Sequence, residues 1–139
     1  MPMKTLVCLL TFAFALSLNS QITIHSTITH QFDIPTEEIT NSFDKIQTFN
    51  ISLIDSLFIH NVFDENNQIT DSQIYHITKI VRTNDLLNFT ALSGISGLSY
   101  EYIVTQEDGL INLMQVFEED QAMYIFDGIS SNLKTFNQP

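Results

Sequence analysis

The strongest constraint on the fold is an alternation of apolar and polar residues that recurs along short stretches of the chain. In the first stretch, Ile22 to Phe32, the apolar residues Ile22, Ile24, Ile28 and Phe32 share one parity, and threonine, histidine and glutamine occupy the other. Successive side chains of a β-strand point to opposite sides, so this period of two is typical of a strand with one buried face. We predict a strand over residues 22–32.

Similar runs rich in Ile, Val, Thr, Phe and Tyr follow along the rest of the chain. The candidate strands are Gln47 to Ile54, Leu57 to Phe63, Gln73 to Arg82, Leu86 to Ser93, Leu98 to Thr105, Leu110 to Phe117 and Ala122 to Asp127. Their connections are short and consist of turn-forming residues. Successive strands are therefore expected to be antiparallel neighbours.

The segment between the first two runs, IPTEEITNSFDKI, has a different spacing. Pro35 ends the strand, and Thr36 can cap a helix whose first turn carries two glutamates. Three apolar residues then recur at helical spacing: Ile39, Phe43 and Ile46. We predict one short helix from about Glu37 to Ile46.

These elements predict an all-β fold with one short helix, as an antiparallel up-and-down meander of about eight strands. The run Leu110 to Phe117 is apolar on both faces, which favours a curled sheet or a small closed barrel over a flat open sheet. The order of strand, helix and meander is similar in outline to small lipocalin-like barrels. That resemblance concerns architecture alone, because the Gly-x-Trp signature of lipocalins is missing from a chain without tryptophan.

The N-terminus is typical of a secretion signal. Lys4 precedes the apolar run Thr5 to Leu18, which suits a signal-peptide core but is too short for an ordinary membrane-spanning helix. We predict cleavage after Ser20, which leaves residues 21–139 as a single β-rich domain that is secreted, either periplasmic or extracellular. The single cysteine, Cys8, leaves with the signal, and the resulting absence of disulfides favours a bacterial source.

The charge of the predicted mature domain excludes two classes of partner. Removal of Lys4 leaves 4 basic and 16 acidic residues, a formal charge of −12. Nucleic acids and anionic lipid surfaces both require clustered lysine and arginine, so neither is an expected partner. After signal cleavage we expect no membrane span.

A near-match to a hydrolase motif occurs at Gly94-Ile95-Ser96-Gly97-Leu98. In the G-x-S-x-G motif the second glycine stands two residues after the serine, but here that position is Leu98. All four histidines precede Ser96, and the sequence after the motif predicts a strand instead of the required helix. We therefore interpret the segment as a hairpin turn, assign no catalytic residue, and expect the protein not to be an enzyme.

The sequence predicts no metal site and no cofactor. His25 and His30 lie five residues apart and would point to opposite faces of one strand. The segment DENNQITDSQIY resembles a calcium loop but has Ile69 where glycine is required and Tyr75 where glutamate is required. Carboxylate groups at 107–108 and 118–120 are expected in turns. A zinc site assembled from separate strands remains an open alternative.

Two functions are compatible with this sequence. The first is a non-catalytic domain that binds a small apolar or aromatic ligand, with Tyr100, Tyr102, Tyr124 and His76 as candidate ligand contacts. The alternative is a structural or interaction protein of the cell envelope, with a filled core, that acts through its acidic surface or a strand edge. The expected partner is accordingly a small apolar ligand or an envelope protein, and the oligomeric state stays open.

Overall fold

The computed structural model describes residues 21–107 and 110–131. Within them the chain forms nine strands. These are β1 (Gln21–Asp33), β2 (Glu38–Ser52), β3 (Leu57–Phe63), β4 (Ile69–Arg82), β5 (Leu86–Ser93), β6 (Ser99–Glu107), β7 (Leu110–Phe117), β8 (Ala122–Asp127) and β9 (Ser130–Ser131). The predicted signal peptide, residues 1–20, lies outside the described residues.

Strands β1 to β8 form a closed antiparallel barrel. They pair in sequence order, and β1 pairs with β8 as well as with β2, which closes the sheet on itself. The two-residue β9 adds to the first half of β1, where Ser131 pairs with Ile24. The predicted all-β meander is confirmed, and of the two predicted forms the barrel is the one observed.

Most strand predictions match the structure closely. Strands β3, β5, β7 and β8 begin and end at the predicted residues, and β4 begins four residues earlier, at Ile69 instead of Gln73. The strand bounds are predicted well because they depend on local sequence: β-branched and aromatic residues favour strands, and the turn-forming residues between them end the strands.

The predicted helix from Glu37 to Ile46 is wrong, because residues 38–46 form the first part of β2. Ile39, Phe43 and Ile46 are 53%, 36% and 39% exposed, so their helical spacing does not mark a buried face. The second half of β1 presents backbone groups that must be paired, and residues 38–44 pair with them. Tertiary pairing therefore overrides the helical spacing.

A register shift in β1 reverses which residues face the interior. Ile22 and Ile24 are buried as the alternation predicts, but the pairing shifts between Ser26 and Ile28. Beyond the shift Thr29 is buried, whereas Ile28 is only half-buried. This irregularity places polar side chains of β1 on the inner face near one end of the barrel.

We call that end the upper end, because β1 ends there and β2 begins there. Four connections meet at it: residues 34–37, 64–68, 94–98 and 118–121. The first and last are joined directly, since the Ile34 amide donates a hydrogen bond to the Gln121 carbonyl at 3.0 Å. The β1–β2 and β7–β8 turns are therefore neighbours at the upper end.

The middle of the barrel is filled by aromatic side chains. Phe49, Phe58, Phe89 and Tyr102 are each at most 1% exposed. The ring centroids of Phe58 and Tyr102 are 4.7 Å apart, and those of Phe89 and Tyr102 are 5.2 Å apart and nearly parallel. Such contacts are within the range of favourable aromatic pairs, so the middle of the barrel is a packed core.

The part of the chain that the structure describes contains no helix long and apolar enough to cross a membrane.

Gly128, just after β8, gives a direct test of the close packing between β8 and β1. Its φ is +66°, and a Cβ atom placed there would lie 2.1 Å from the Thr27 hydroxyl oxygen. We expect Gly128→Ala to lower the free energy of unfolding by about 2 to 3 kcal/mol, since left-handed strain adds to a steric clash. Urea unfolding measures this change.

Gly97 provides the matched control for this prediction. Its φ is +70°, but an added Cβ would meet no atom within 4 Å. Gly97→Ala should therefore show only the backbone strain, a loss of about 1 kcal/mol. Equal losses for the two variants would contradict the close approach between Gly128 and Thr27.

Candidate ligand site at the upper mouth

An open cleft of about 270 Å³ lies at the upper end, between the β1–β2 hairpin and the β7–β8 turn. Its lining combines an apolar part with two acidic residues. The residues concerned are Phe32, Phe117, Met123 and Tyr124, together with Asp33 and Asp120. The cleft therefore presents aromatic surface and negative charge to the same volume of solvent.

Strand pairing explains how these residues come together. Tyr124 on β8 pairs with Gln31 on β1, and two residues further up Ala122 pairs with Asp33. On its other side Ala122 pairs with Phe117 of β7. Paired residues lie on the same face of a sheet. The closure of β1 onto β8 therefore places Asp33 beside Ala122 and Phe117 on one wall of the mouth.

A second depression of about 360 Å³ adjoins the first and shares Phe117 and Asp120 with it. It is further lined by Tyr100, Glu118 and Glu119. The ring of Phe117 stands nearly perpendicular to those of Tyr124 and Tyr100, at centroid distances of 5.2 and 6.2 Å. We call the two depressions together the upper mouth.

The structure separates the four ligand contacts predicted from sequence. Tyr124 lines the first depression and Tyr100 lines the second, so both belong to the upper mouth. Tyr102 lies in the packed core, where its hydroxyl accepts a hydrogen bond from Gln115 Nε2 at 3.0 Å and burial raises its pKa. His76 is exposed, on the face of β4 opposite to the buried Tyr75.

Most lining residues had no sequence signal as ligand contacts, among them Asp33, Phe117 and Asp120. Each lies at the end of a strand or in a turn, where sequence patterns predict only a chain reversal. Their proximity depends on the pairing of β1 with β8, which joins residues about ninety positions apart. The turn assignment at 118–120 is confirmed, and its position beside the cleft could not be read from the sequence.

A buried polar chain lies below the mouth. His60 Nε2 donates a hydrogen bond to Gln47 Oε1 at 2.8 Å, and Gln47 Nε2 donates to Thr29 Oγ1 at 2.8 Å. The imidazole stacks on Phe49 with ring centroids 4.6 Å apart. Burial, together with the charge of Lys45, lowers the pKa of His60 to about 4. His60 is therefore a neutral, half-buried donor at the edge of the packed interior near neutral pH.

A second histidine links three strands on the outer wall. His30 Nδ1 lies 2.7 Å from Ser42 Oγ on β2, and His30 Nε2 lies 3.2 Å from Asp127 Oδ2 on β8. The Gly128 amide and then His30 lower the pKa of Asp127. None of the three side chains lines either depression of the upper mouth. The chain of contacts spans the seam where β1 closes the barrel.

The motif around Ser96 forms the turn between β5 and β6, as predicted. The Ser93 hydroxyl accepts hydrogen bonds from the amides of Ile95 and Ser96, at 3.2 and 3.1 Å. Ser96 Oγ accepts one from the Leu98 amide at 3.2 Å. Both serine hydroxyls thus stabilise the turn itself.

The first part of the segment that resembles a calcium loop, residues 64–68, is also a closed turn, and the rest belongs to β4. Asp64 Oδ1 accepts hydrogen bonds from the amides of Asn66 and Gln68, at 2.8 and 2.9 Å. Over residues 21–107 and 110–131, no three histidine, cysteine or acidic side chains are grouped so that they could hold a metal ion.

The fold and its mouth define the protein as an eight-stranded antiparallel up-and-down barrel with a filled middle and an open, aromatic and acidic end. Comparison with protein-family models, with curated proteins and with solved structures finds no significant match.

Proposed function

We propose that this protein binds a small apolar or aromatic ligand, without catalysis, in the upper mouth of its barrel. The observation that supports the proposal is the open cleft of about 270 Å³ beside Phe117 and Tyr124. Apolar and aromatic linings with a few polar groups are the usual composition of ligand sites, and barrel mouths are a common place for them.

The dimensions of the molecule restrict the ligand. Because Phe58, Phe89 and Tyr102 fill the middle of the barrel, a ligand occupies the mouth and not the centre. The cleft volume lies near the lower limit of about 300 Å³ for drug-sized sites. We therefore propose a ligand of one or two rings, bound by an exported domain in the periplasm or outside the cell.

A second candidate function is interaction with an envelope protein through a strand edge. Residues 38–44 of β2 pair with β1 on one side, whereas pairing with β3 begins at Ile46. The backbone groups on the other side of residues 38–45 could pair with an added strand. The register irregularity near Ile39 and the charge of Lys45 both disfavour such pairing, so the mouth is the preferred proposal.

Thr40→Phe tests the mouth by blocking it. Thr40 is exposed and lines the cleft, so a phenylalanine there can occupy the ligand volume without disturbing the core. With the neutral fluorescent probe N-phenylnaphthylamine, we expect saturable binding to the wild-type protein and a loss of about tenfold or more in affinity for the variant. Fluorescence titration measures both.

Thr70→Phe is the matched control. Thr70 is also exposed, and the hydroxyls of Thr40 and Thr70 donate to main-chain carbonyls at the same distance of 3.3 Å. Because Thr70 does not line the cleft, its variant should bind the probe as the wild-type protein does. Equal affinity of Thr40→Phe and wild type, or no probe binding at all, would reject the site.

A further inference from the structure

Both depressions of the upper mouth are lined by carboxylates as well as by aromatic rings. Asp33 and Asp120 line the first, and Glu118 and Glu119 join Asp120 in the second. A cation that enters the mouth therefore meets negative charge and aromatic rings on one surface. Both features attract cations, the first through Coulomb interaction and the second through the negative faces of the rings.

We propose that the upper mouth selects organic cations, that is, a protonated amine or quaternary ammonium group carried on an apolar or aromatic body. This inference rests on the proposed function and specifies the class of its ligand. The body of the ligand contacts Phe117 and Tyr124, and its cationic group lies beside the carboxylates of Asp33 and Asp120.

The turn that carries the carboxylates at 118–120 does not use them as hydrogen-bond acceptors. Main-chain hydrogen bonds hold the turn, from the Gln121 amide to the Glu118 carbonyl at 3.2 Å and from the Ile34 amide to the Gln121 carbonyl at 3.0 Å. No hydrogen bond or ion pair joins the carboxylates of Glu118, Glu119 and Asp120 to another described residue. All three charges would attract a cation that enters the mouth.

Asp33 is held in place by its own turn. Its Oδ2 accepts hydrogen bonds from the hydroxyl and the amide of Thr36, at 2.6 and 3.0 Å. These bonds lower the pKa of Asp33, with the hydroxyl as the larger cause. The carboxylate is therefore ionised near neutral pH and fixed before a ligand arrives, which reduces the entropic cost of binding.

The charged residues in the connections of the upper end are all acidic. Its four connections, 34–37, 64–68, 94–98 and 118–121, contain no lysine, arginine or histidine. Their acidic residues are Glu37, Asp64, Glu65, Glu118, Glu119 and Asp120. A mouth surrounded by one sign of charge concentrates counter-ions and repels ligands of its own sign. The upper mouth should thus favour cations over anions of equal size.

Two competitors of similar size and opposite charge test this selectivity. Phenethylamine and phenylacetate each carry one phenyl ring and one charged group. We expect phenethylamine to displace N-phenylnaphthylamine at a concentration at least about tenfold lower than phenylacetate, at an ionic strength of about 0.02 M. The preference should shrink at about 0.5 M salt, because salt screens exposed charges.

Asp120→Asn tests whether the preference for cations arises in the upper mouth, since it removes one charge without changing the shape of the side chain. We expect it to weaken phenethylamine binding about threefold or more relative to its effect on the neutral probe. Glu65→Gln is the matched control, because Glu65 belongs to the same end of the barrel but lines neither depression. It should keep the wild-type preference.

The outcomes separate the two proposals. If the probe binds and both competitors displace it equally, cation selectivity is overturned and the binding function stands. If Asp120→Asn and Glu65→Gln weaken phenethylamine equally, the preference reflects net charge alone, and the assigned site is wrong. If neither the probe nor phenethylamine binds in titration calorimetry, the proposed function fails as well.

Discussion

Replacing Phe58 with alanine is expected to lower the free energy of unfolding by about 3 to 5 kcal/mol. The side chain is fully buried, and its ring centroid lies 4.7 Å from that of Tyr102 and 5.3 Å from those of Tyr75 and Phe89. These partners belong to three different strands of the closed barrel. The barrel cannot easily collapse around the void, so the cost of the cavity adds to the lost burial.

Urea unfolding of a graded series checks this expectation. Phe58→Leu keeps most of the apolar volume and should lose clearly less stability than Phe58→Ala. Ile95→Ala, at a residue that is 78% exposed, should change the free energy of unfolding by at most about 0.5 kcal/mol. A loss for Phe58→Ala as small as that of Ile95→Ala would mean that the middle of the barrel is not packed as described.

The middle of the barrel also shows how far the sequence predicts the fold. Tyr100 and Tyr102 share one parity on β6, which is enough to predict that they face the same side. Parity does not give the depth of each residue along the barrel. Tyr102 lies in the core and Tyr100 at the mouth, because their partner strands place them at different heights.

The parity of His76 shows a second limit of prediction from sequence. His76 shares its parity with Ile74, and an apolar neighbour of this kind suggests a buried face. In the barrel that face is the outer wall, where Ile74 is 51% exposed. Which of two apolar faces turns inward depends on the direction in which the sheet curls, and a single strand carries no information about that direction.

The candidate site was less predictable than the strands for a similar reason. Asp33 and Asp120 each stand beside a turn, and their local sequence explains only that turn. They meet because β1 pairs with β8, a contact between the two ends of the chain. Local propensity and periodicity determine elements, whereas the mouth is determined by closure and by the register shift in β1.

Acidification should produce a second large effect, through His60. Between about pH 7 and about pH 4.5, this histidine alone should lower the free energy of unfolding by about 2 to 3 kcal/mol. Its pKa falls from 6.5 to about 4 on folding, mainly because of burial and secondly because of Lys45, while Asp71 acts in the opposite direction. Between these values the unfolded chain binds a proton at His60 and the folded protein does not. The stability that depends on neutral His60 is therefore fully present above about pH 6.5, and it is lost as the pH decreases towards 4.

The variant His60→Gln isolates this contribution, because glutamine does not titrate and can still donate to Gln47 Oε1. Urea unfolding over the same pH range should show wild type losing about 2 to 3 kcal/mol more than the variant, since the titration of the carboxylates is common to both. His25→Gln, at an exposed histidine of β1, is the matched control for the loss of a histidine. Parallel curves for wild type and His60→Gln would show that His60 accepts its proton as readily in the folded protein as in the unfolded chain. That result would contradict its partly buried hydrogen bond with Gln47.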